Sequence, residues 1–213
     1  MNRKLLIFDF DGTLADTLPV FLQVFDEAAD KYGFKRFDPS RTQALRDLDA
    51  RQLMALHEVP LWKLPAIANF MRASMGRNTD GIRLFAGMDQ ALRALKAQGV
   101  QLTIVSSNSR SNVLTILGPE TSALFSQFEC GASLFGKLPK IRKVLAATGV
   151  AREHVMLIGD EIRDARVSAE AGIAFGAVAW GFNNVDVLIA EQPQRVFRQV
   201  ADLIEAPAAS TTV

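Results

Sequence analysis

The chain has 213 residues, 49% of them hydrophobic, and its 24 basic and 23 acidic residues leave a formal net charge of +1. It is long for one domain and short for two full ones, and the balanced charge gives no electrostatic reason to expect a nucleic acid or a membrane as a partner. One cysteine, Cys130, excludes an intrachain disulfide, and without a signal peptide or a run of roughly 20 apolar residues we expect a cytoplasmic protein.

Short apolar runs predict the strands of a parallel sheet, because strands buried on both faces are apolar throughout. The runs are KLLIF at 4–8, VQLTIVS at 100–106, a weaker FECGAS at 128–133, HVMLIG at 154–159 and AFGAVAW at 174–180. Apolar residues at helical spacing lie between them, over 88–95 and 141–145, and a glycine follows each of these two segments. This alternation predicts an α/β fold with a doubly wound, Rossmann-like parallel sheet.

The segment from about Pro19 to Arg83 interrupts the alternation. It shows no strand pattern, and its apolar residues recur at helical spacing between prolines. The residues that carry this spacing are Val20, Val24, Ala28, Tyr32, Leu45, Leu48, Leu53, Leu56, Leu64, Ile67 and Met71. The sequence therefore predicts an all-helical cap at 18–83, inserted after the first strand of a core at 1–17 and 84–206, and a flexible tail at 207–213.

Acidic and hydroxyl residues follow three of the predicted strands. They are Asp9 and Asp11 after the first, Ser106, Ser107 and Asn108 after the second, and Asp160, Glu161 and Asp164 after HVMLIG. Ligand sites of parallel α/β sheets lie at the carboxyl ends of the strands, so we expect these side chains to converge. Clustered carboxylates need a cation, and hard oxygen ligands favour Mg²⁺. Lys137, just before a predicted helix, is a candidate cation at the same edge.

Plainer structural interpretations exist for each of these residues. They are a strand-ending turn for Asp9 and Asp11, a helix cap for Ser106, a solvated surface for Lys137, and favourable charges at a helix N-terminus for Asp160 and Asp164. The joint occurrence of the residues, rather than any one of them, favours a site.

Together the segments resemble the four motifs of the haloacid dehalogenase superfamily of phosphotransferases. DFDGTLADT resembles the first motif, TIVSSNS the second, Lys137 within SLFGKLPK the third, and GDEIRD the fourth. The motifs occur in the family's order and span residues 9–164. The helical insert resembles the cap of the branch that contains phosphoglycolate phosphatases and β-phosphoglucomutases.

The resemblance implies a role for each matching residue. Asp9 would be the nucleophile that forms an aspartyl-phosphate, and Asp11 the general acid and base. Ser106 and Lys137 would bind the phosphoryl oxygens. The implied substrate-binding residues are Gly12, Ser107 and Asn108, and the implied Mg²⁺ ligands are Asp9, Asp11 through its backbone carbonyl, Asp160 and Asp164, the last directly or through water.

Two departures from the family pattern leave alternatives open. Lys140 rivals Lys137, because the third motif of this branch often reads Lys-Pro, although Lys140 falls inside the predicted helix. Glu161 is an extra acid that either contacts the metal shell or only begins a helix.

The implied activity is hydrolysis of a small phosphorylated metabolite, close to that of phosphoglycolate phosphatases. A sugar-phosphate mutase would use the same residues, and an inactive binding protein on this fold is a remote alternative. The cap would decide between substrates, and its arginines Arg46, Arg51 and Arg72 are either anion contacts or, on the plainer interpretation that we favour, surface residues. Without a heptad or other assembly pattern, a monomer or a small homo-oligomer is expected.

Overall fold

A computed structural model describes residues 3–131 and 136–207. The strands in these ranges are β1 (Leu5–Phe8), β2 (Ala15–Asp16), β3 (Arg83–Leu84), β4 (Gln101–Val105), β5 (Gln127–Glu129), β6 (Val155–Gly159), β7 (Ala174–Val178) and β8 (Arg195–Phe197). The α-helices are α1 (Leu18–Tyr32), α2 (Thr42–Leu45), α3 (Ala50–Leu56), α4 (Leu64–Arg77), α5 (Met88–Ala97), α6 (Arg110–Ser122), α7 (Leu138–Thr148), α8 (Ile162–Ala171) and α9 (Val185–Ala190). None of these helices is long and apolar enough to cross a membrane.

Six parallel strands form the core sheet in the order β5-β4-β1-β6-β7-β8, which confirms the predicted doubly wound fold. Successive residues of β1 point to opposite faces of the sheet. Leu6 and Phe8 pack in one buried cluster with residues of α5, whereas Leu5 and Ile7 pack in another with residues of α7 and α8. This two-sided burial explains why the central strand is apolar throughout.

The register of the central strands brings their carboxyl ends together. Phe8, the last residue of β1, is paired with Ile104 of β4 on one side and with Ile158 of β6 on the other. The residues that follow these three strands therefore lie at one edge of the sheet, as the sequence predicts.

The helices α1 to α4 lie between β2 and β3, which pair with each other in an antiparallel ribbon. Proline in the first turn begins α1, and Gly33 ends it with a φ of 77°. The cap has its own small core, in which Ala28, Val59 and Ile67 are buried together. The chain passes between core and cap twice, once through β2 and once through β3, and the ribbon pairs these two connecting segments.

Three predicted boundaries need correction. The strand β3 begins at Arg83, inside the predicted all-helical segment, because a two-residue strand is too short to show a period. The predicted strand at 128–133 is observed as Gln127–Glu129, and its residues 132–133 lie outside the described ranges. Pro207 belongs to the structured part, since its carbonyl accepts a 2.8 Å hydrogen bond from the Arg3 backbone; residues 208–213 of the predicted tail lie outside the described ranges.

Candidate active site

Asp9 lies directly beyond β1 and is almost completely buried, at 1% exposure. Its Oδ1 accepts a 2.7 Å hydrogen bond from the backbone N–H of Phe10, and its Oδ2 lies 2.5 Å from Lys137 Nζ. That Lys137–Asp9 contact is an ion pair without hydrogen-bond geometry, so Oδ2 has no hydrogen-bond partner among the described residues. A buried carboxylate oxygen that is short of donors is suited to react with or bind an incoming group.

Lys137 is the cation of the cluster. Its Nζ donates a 2.7 Å hydrogen bond to Asp164 Oδ1 in addition to its contact with Asp9, and the side chain is 8% exposed. Burial by itself lowers the pKa of Lys137, but Asp164 and Asp9 outweigh this effect and raise the pKa above its ordinary value. The lysine is therefore a fixed positive charge beside Asp9.

Lys140, the alternative to Lys137, lies within α7, and its side chain binds backbone carbonyls rather than the carboxylate cluster. Its Nζ donates to the backbone carbonyls of Ser106, at 2.7 Å, and of Gly131. These bonds hold the segments that follow β4 and β5 against α7. The structure therefore brings Lys137, and not Lys140, to Asp9.

Asp160 follows β6 and is fully buried. Its Oδ1 accepts from Thr13 Oγ1 at 2.6 Å, and its Oδ2 accepts from the backbone N–H of Phe182 at 2.7 Å. Burial first, and then the neighbouring carboxylates Glu161 and Asp9, raise the pKa of Asp160 well above its usual range. The ionised form of this carboxylate therefore needs a further positive charge nearby.

Oxygens of Asp9, Asp160 and Asp164 lie within 4.8 Å of one another, and all three residues are buried. Among the described residues, Lys137 is the cation in direct contact with this trio. Three buried carboxylates and one ammonium leave an excess of negative charge, and oxygen donors are the ligands that Mg²⁺ takes in proteins. The residues present thus fit the divalent cation that the sequence predicts.

Both carboxylate oxygens of Asp164 already have hydrogen-bond partners within the protein. Besides binding Lys137, it accepts a 3.2 Å hydrogen bond through Oδ2 from the backbone N–H of Glu161. Of the two predicted alternatives, these bonds favour contact of Asp164 with a metal through water. Glu161 is the N-cap residue of α8 and pairs with Arg163 at 2.6 Å.

Gly12 forms the turn between Asp11 and Thr13, with a φ of 75°. A Cβ at this position would lie 2.2 Å from Asp160 Oδ2 and would displace that carboxylate. Glycine is therefore required here for its positive φ and for the close approach of the backbone to the cluster.

Asp11 is positioned by the segment that follows β4. Asn108 donates from Nδ2 to Asp11 Oδ1 at 3.0 Å. Burial, and next the charge of Asp9, raise the pKa of Asp11 to about 6, although the hydrogen bond from Asn108 opposes the rise. Asp11 can therefore exchange a proton near neutral pH.

Ser106 is fully buried, and its Oγ accepts a 3.0 Å hydrogen bond from the backbone N–H of Asn108. The helix-cap interpretation of Ser106 is wrong, because Ser109 caps α6 by accepting from the Asn112 N–H at 3.1 Å. Ser107 does not contact Asp9 but lines the neighbouring cavity.

A cavity of about 330 Å³ lies between the cap and this edge of the sheet. The lining residues from the core and its connection to the cap are Asp11, Thr17, Ser107, Asn108, Arg163 and Phe182, and those from the cap are Phe21, Ala68, Met71, Arg72 and Met75. Of the predicted anion contacts, Arg72 lines this cavity and Arg51 lines adjacent ones. Arg46 instead donates to the backbone carbonyls of Phe182, at 3.0 Å, and Gly181, at 2.8 Å.

Sequence reasoning missed the loop after β7 that holds both Asp160 and the cap. A Cβ on Gly181 would lie 2.1 Å from the Asp160 Cβ, and the next residue donates to the same carboxylate. Buried Asn183 accepts from the Ile162 N–H at 3.0 Å and donates to the carbonyls of Arg46 and Leu48. The turn residues Gly-Phe-Asn-Asn mark a loop in the sequence, but not what the loop touches.

The variant Asn183→Ala should lower the free energy of unfolding by about 1–3 kcal/mol, because it removes the partner of a buried N–H at the start of α8. Chemical denaturation followed by circular dichroism measures this change. Asn184→Ala is the control, since Asn184 bonds Gln43 and Asp47 in more exposed positions. Equal losses in the two variants would contradict the role of Asn183.

A cluster of carboxylates and a lysine lies at the carboxyl edge of the parallel sheet, beside a cavity under the cap, and this is the edge at which α/β enzymes bind their ligands. The chain belongs to the haloacid dehalogenase-like hydrolase family, since a sequence model of that family matches residues 6–178. This confirms the resemblance seen in the four motifs.

Relatives and solved structures agree with this assignment. A phosphoglycolate phosphatase from Synechococcus elongatus is 30% identical over 94% of this chain and 95% of its own length. The pyrophosphatase PpaX from Listeria monocytogenes is 26% identical over 93% of this chain and 94% of its own. A haloacid dehalogenase-like hydrolase from Streptococcus pneumoniae has the same fold, with a TM-score of 0.81 at 20% identity, over 96% of this chain and 98% of that one.

Proposed function

We propose that the chain is a Mg²⁺-dependent phosphatase that hydrolyses a small phosphomonoester through an aspartyl-phosphate, in the manner of a phosphoglycolate phosphatase. The observation that carries the proposal is the contact of Asp9 with Lys137 inside a buried carboxylate cluster. The names of the two relatives, a phosphoglycolate phosphatase and a pyrophosphatase, support hydrolysis of a phosphate ester or anhydride.

Asp9 has the position of the nucleophile. One of its oxygens forms a bond to phosphorus while the bond from phosphorus to the leaving alcohol breaks, which divides one difficult step into two easier ones. Lys137 offsets the negative charge that Asp9 and the phosphoryl oxygens bring together. The Ser106 hydroxyl accepts from Asn108, which leaves its own hydrogen for a phosphoryl oxygen.

Asp11 supplies the protons. It gives a proton to the leaving alcohol oxygen and then takes one from the water that attacks phosphorus, while the bond between phosphorus and Asp9 breaks and inorganic phosphate leaves. Asn108 fixes its carboxyl group for both transfers, and the raised pKa of Asp11 suits an acid that works near neutral pH. Backbone N–H groups near Gly12 and Ser107 are the proposed further donors to the phosphate.

Bound Mg²⁺, held by Asp9, Asp160 and the Asp11 carbonyl, with Asp164 acting through water, would supply positive charge to the phosphoryl oxygens. These are the ligands that the family resemblance implies. Of the two implied arrangements for Asp164, direct or through water, its bonds to Lys137 and to the Glu161 N–H favour contact through water.

Removal of divalent cations should reduce activity to background, and added Mg²⁺ should restore it. Ca²⁺ should fail to restore it, because its larger and looser coordination shell would let both Asp9 oxygens bind and misalign the attack. Phosphate release in excess chelator measures the effect, with chelator already saturated by Mg²⁺ as the control. Full activity in excess free chelator would contradict the metal assignment.

A screen of small phosphorylated metabolites with Mg²⁺ present tests the function itself. Release of inorganic phosphate with the free alcohol as the second product supports the phosphatase. Isomerisation of a sugar phosphate primed by a bisphosphate would instead establish the mutase, and binding without turnover would establish an inactive protein on this fold.

A further inference from the structure

The cavity between cap and core contains a cation that the proposed chemistry does not use. Arg72 lies on α4 of the cap and lines the cavity together with Asp11, Ser107 and Asn108 of the core. Its Nη1 donates a 3.0 Å hydrogen bond to Asn69 Oδ1, one turn earlier on the same helix. The guanidinium is thus oriented by a neutral partner.

Arg72 also keeps its charge uncompensated, in contrast to the other arginine of the cavity. Arg163, which comes from the core, is paired with Glu161 at 2.6 Å. Among the described residues, no carboxylate lies within 4 Å of the Arg72 guanidinium. Arg72 is therefore the unneutralised cation of the described cavity lining.

The surroundings of Arg72 strengthen its attraction for an anion. The cap residues that share the cavity wall with it are apolar: Phe21, Ala68, Met71 and Met75. A charge on an apolar, partly desolvated wall attracts an opposite charge more strongly than the same charge in water. A guanidinium also binds the two oxygens of a carboxylate in one plane, which adds geometric selection to the charge.

We propose that Arg72 is a specificity-determining residue that binds a carboxylate on the leaving group of the substrate. This inference rests on the proposed function, because it takes the phosphoryl group to lie at Asp9 and the leaving group to extend toward the cap. The cavity of about 330 Å³ is lined by Asp11 and not by Asp9, and its size leaves room for a short leaving group between Asp11 and Arg72, so the substrate class is the phosphomonoesters of short hydroxy acids.

The test compares two substrates of nearly equal shape. Where 2-phosphoglycolate has a carboxylate, 2-hydroxyethyl phosphate has an uncharged hydroxymethyl group. The wild-type protein should prefer the carboxylate. Arg72→Gln should lower kcat/KM for 2-phosphoglycolate by roughly 10- to 100-fold, at least ten times more than for 2-hydroxyethyl phosphate, and chiefly through KM. Arg72→Lys should keep part of the preference, since it keeps the charge and loses the planar fork.

Arg77→Gln is the matched control. Arg77 is exposed in the last turn of the same helix, and neither substrate should be affected by its loss. Calorimetric binding of the two compounds repeats the comparison without requiring turnover. Circular dichroism verifies that each variant folds.

The outcomes separate this inference from the proposed function. A preference for the carboxylate that depends on Arg72, in kinetics and in binding, supports the role of Arg72 and the phosphatase activity. Turnover of the two compounds without preference, or a preference that survives in Arg72→Gln, overturns the role of Arg72 and leaves the phosphatase intact. Arg72-dependent binding without any turnover supports the role of Arg72 and overturns the phosphatase. A preference for pyrophosphate over both compounds that is lost in Arg72→Gln overturns the carboxylate assignment.

Discussion

Replacement of Asp9 by asparagine is expected to abolish turnover while the chain still folds. An amide has nearly the shape of the carboxylate and can still accept the hydrogen bond that Phe10 donates to Asp9 Oδ1. It lacks the negative charge that pairs with Lys137 and that, in the proposed mechanism, attacks phosphorus. Loss of a nucleophile costs on the order of 10⁶-fold in rate in a well-studied hydrolase. The measurement is the initial rate of phosphate release at saturating substrate and Mg²⁺.

The matched control for this variant is Asp186→Asn, the same chemical change at an exposed carboxylate of α9. Its rate should equal that of the wild type. Circular dichroism and a denaturation curve check that the Asp9 variant is folded, and mass spectrometry checks that residue 9 has stayed an amide. A folded Asp9→Asn protein with near-normal activity would rule out the covalent mechanism.

Those parts of the site that lie on the carboxyl ends of strands were predictable from the sequence. Asp9, Ser106 and Asp160 directly follow apolar runs, and parallel strands must end at one edge. Lys137 was predictable from its place before a helix. The local apolar pattern is sufficient to predict such residues, because the position of a strand fixes the position of the residue that follows it.

Residues whose roles depend on distant contacts were not predictable in the same way. The partners of Asp160 are Thr13 and the Phe182 backbone, and nothing in the local sequence of either indicates contact with Asp160. Asn183 joins α8 to the cap through contacts with residues more than a hundred positions away. The short strand β8 was also missed, since three residues show too little alternation to indicate a strand.

The cap arginines show the same limit. Arg46, Arg51 and Arg72 have equal standing in the sequence, as basic residues of a helical segment. Folding ties Arg46 to backbone carbonyls of the core, and it places Arg72 in the cavity beside Asp11. The difference arises from the packing of the cap on the sheet, which a helical period does not encode.

The two acids after β1 differ in their surroundings. Asp9 forms an ion pair with Lys137. Asp11 is held by the neutral amide of Asn108, and its pKa is raised to about 6. A carboxyl group with a pKa near neutrality is suited to acid–base work.

Asp11→Asn should therefore slow catalysis by about 10²–10⁴-fold, the usual cost of losing general acid–base catalysis, while leaving Mg²⁺ affinity nearly unchanged. The implied metal contact of Asp11 is its backbone carbonyl, which the substitution keeps. The side-chain amide can also still accept the hydrogen bond from Asn108. Titration of Mg²⁺ against the rate, and by calorimetry, measures the metal affinity separately from turnover.

The size of the loss should depend on the leaving group. A poor leaving group, such as the alkoxide of an aliphatic alcohol, needs a proton as its bond to phosphorus breaks, so formation of the aspartyl-phosphate should be slow. A good leaving group, p-nitrophenolate, needs little help, but water still lacks its base in the second step. With p-nitrophenyl phosphate the variant should therefore release a burst of one p-nitrophenolate per enzyme, followed by slow turnover. Rapid-mixing kinetics on both substrate types measures the first step directly, and equal losses on both in that step would refute the role of Asp11.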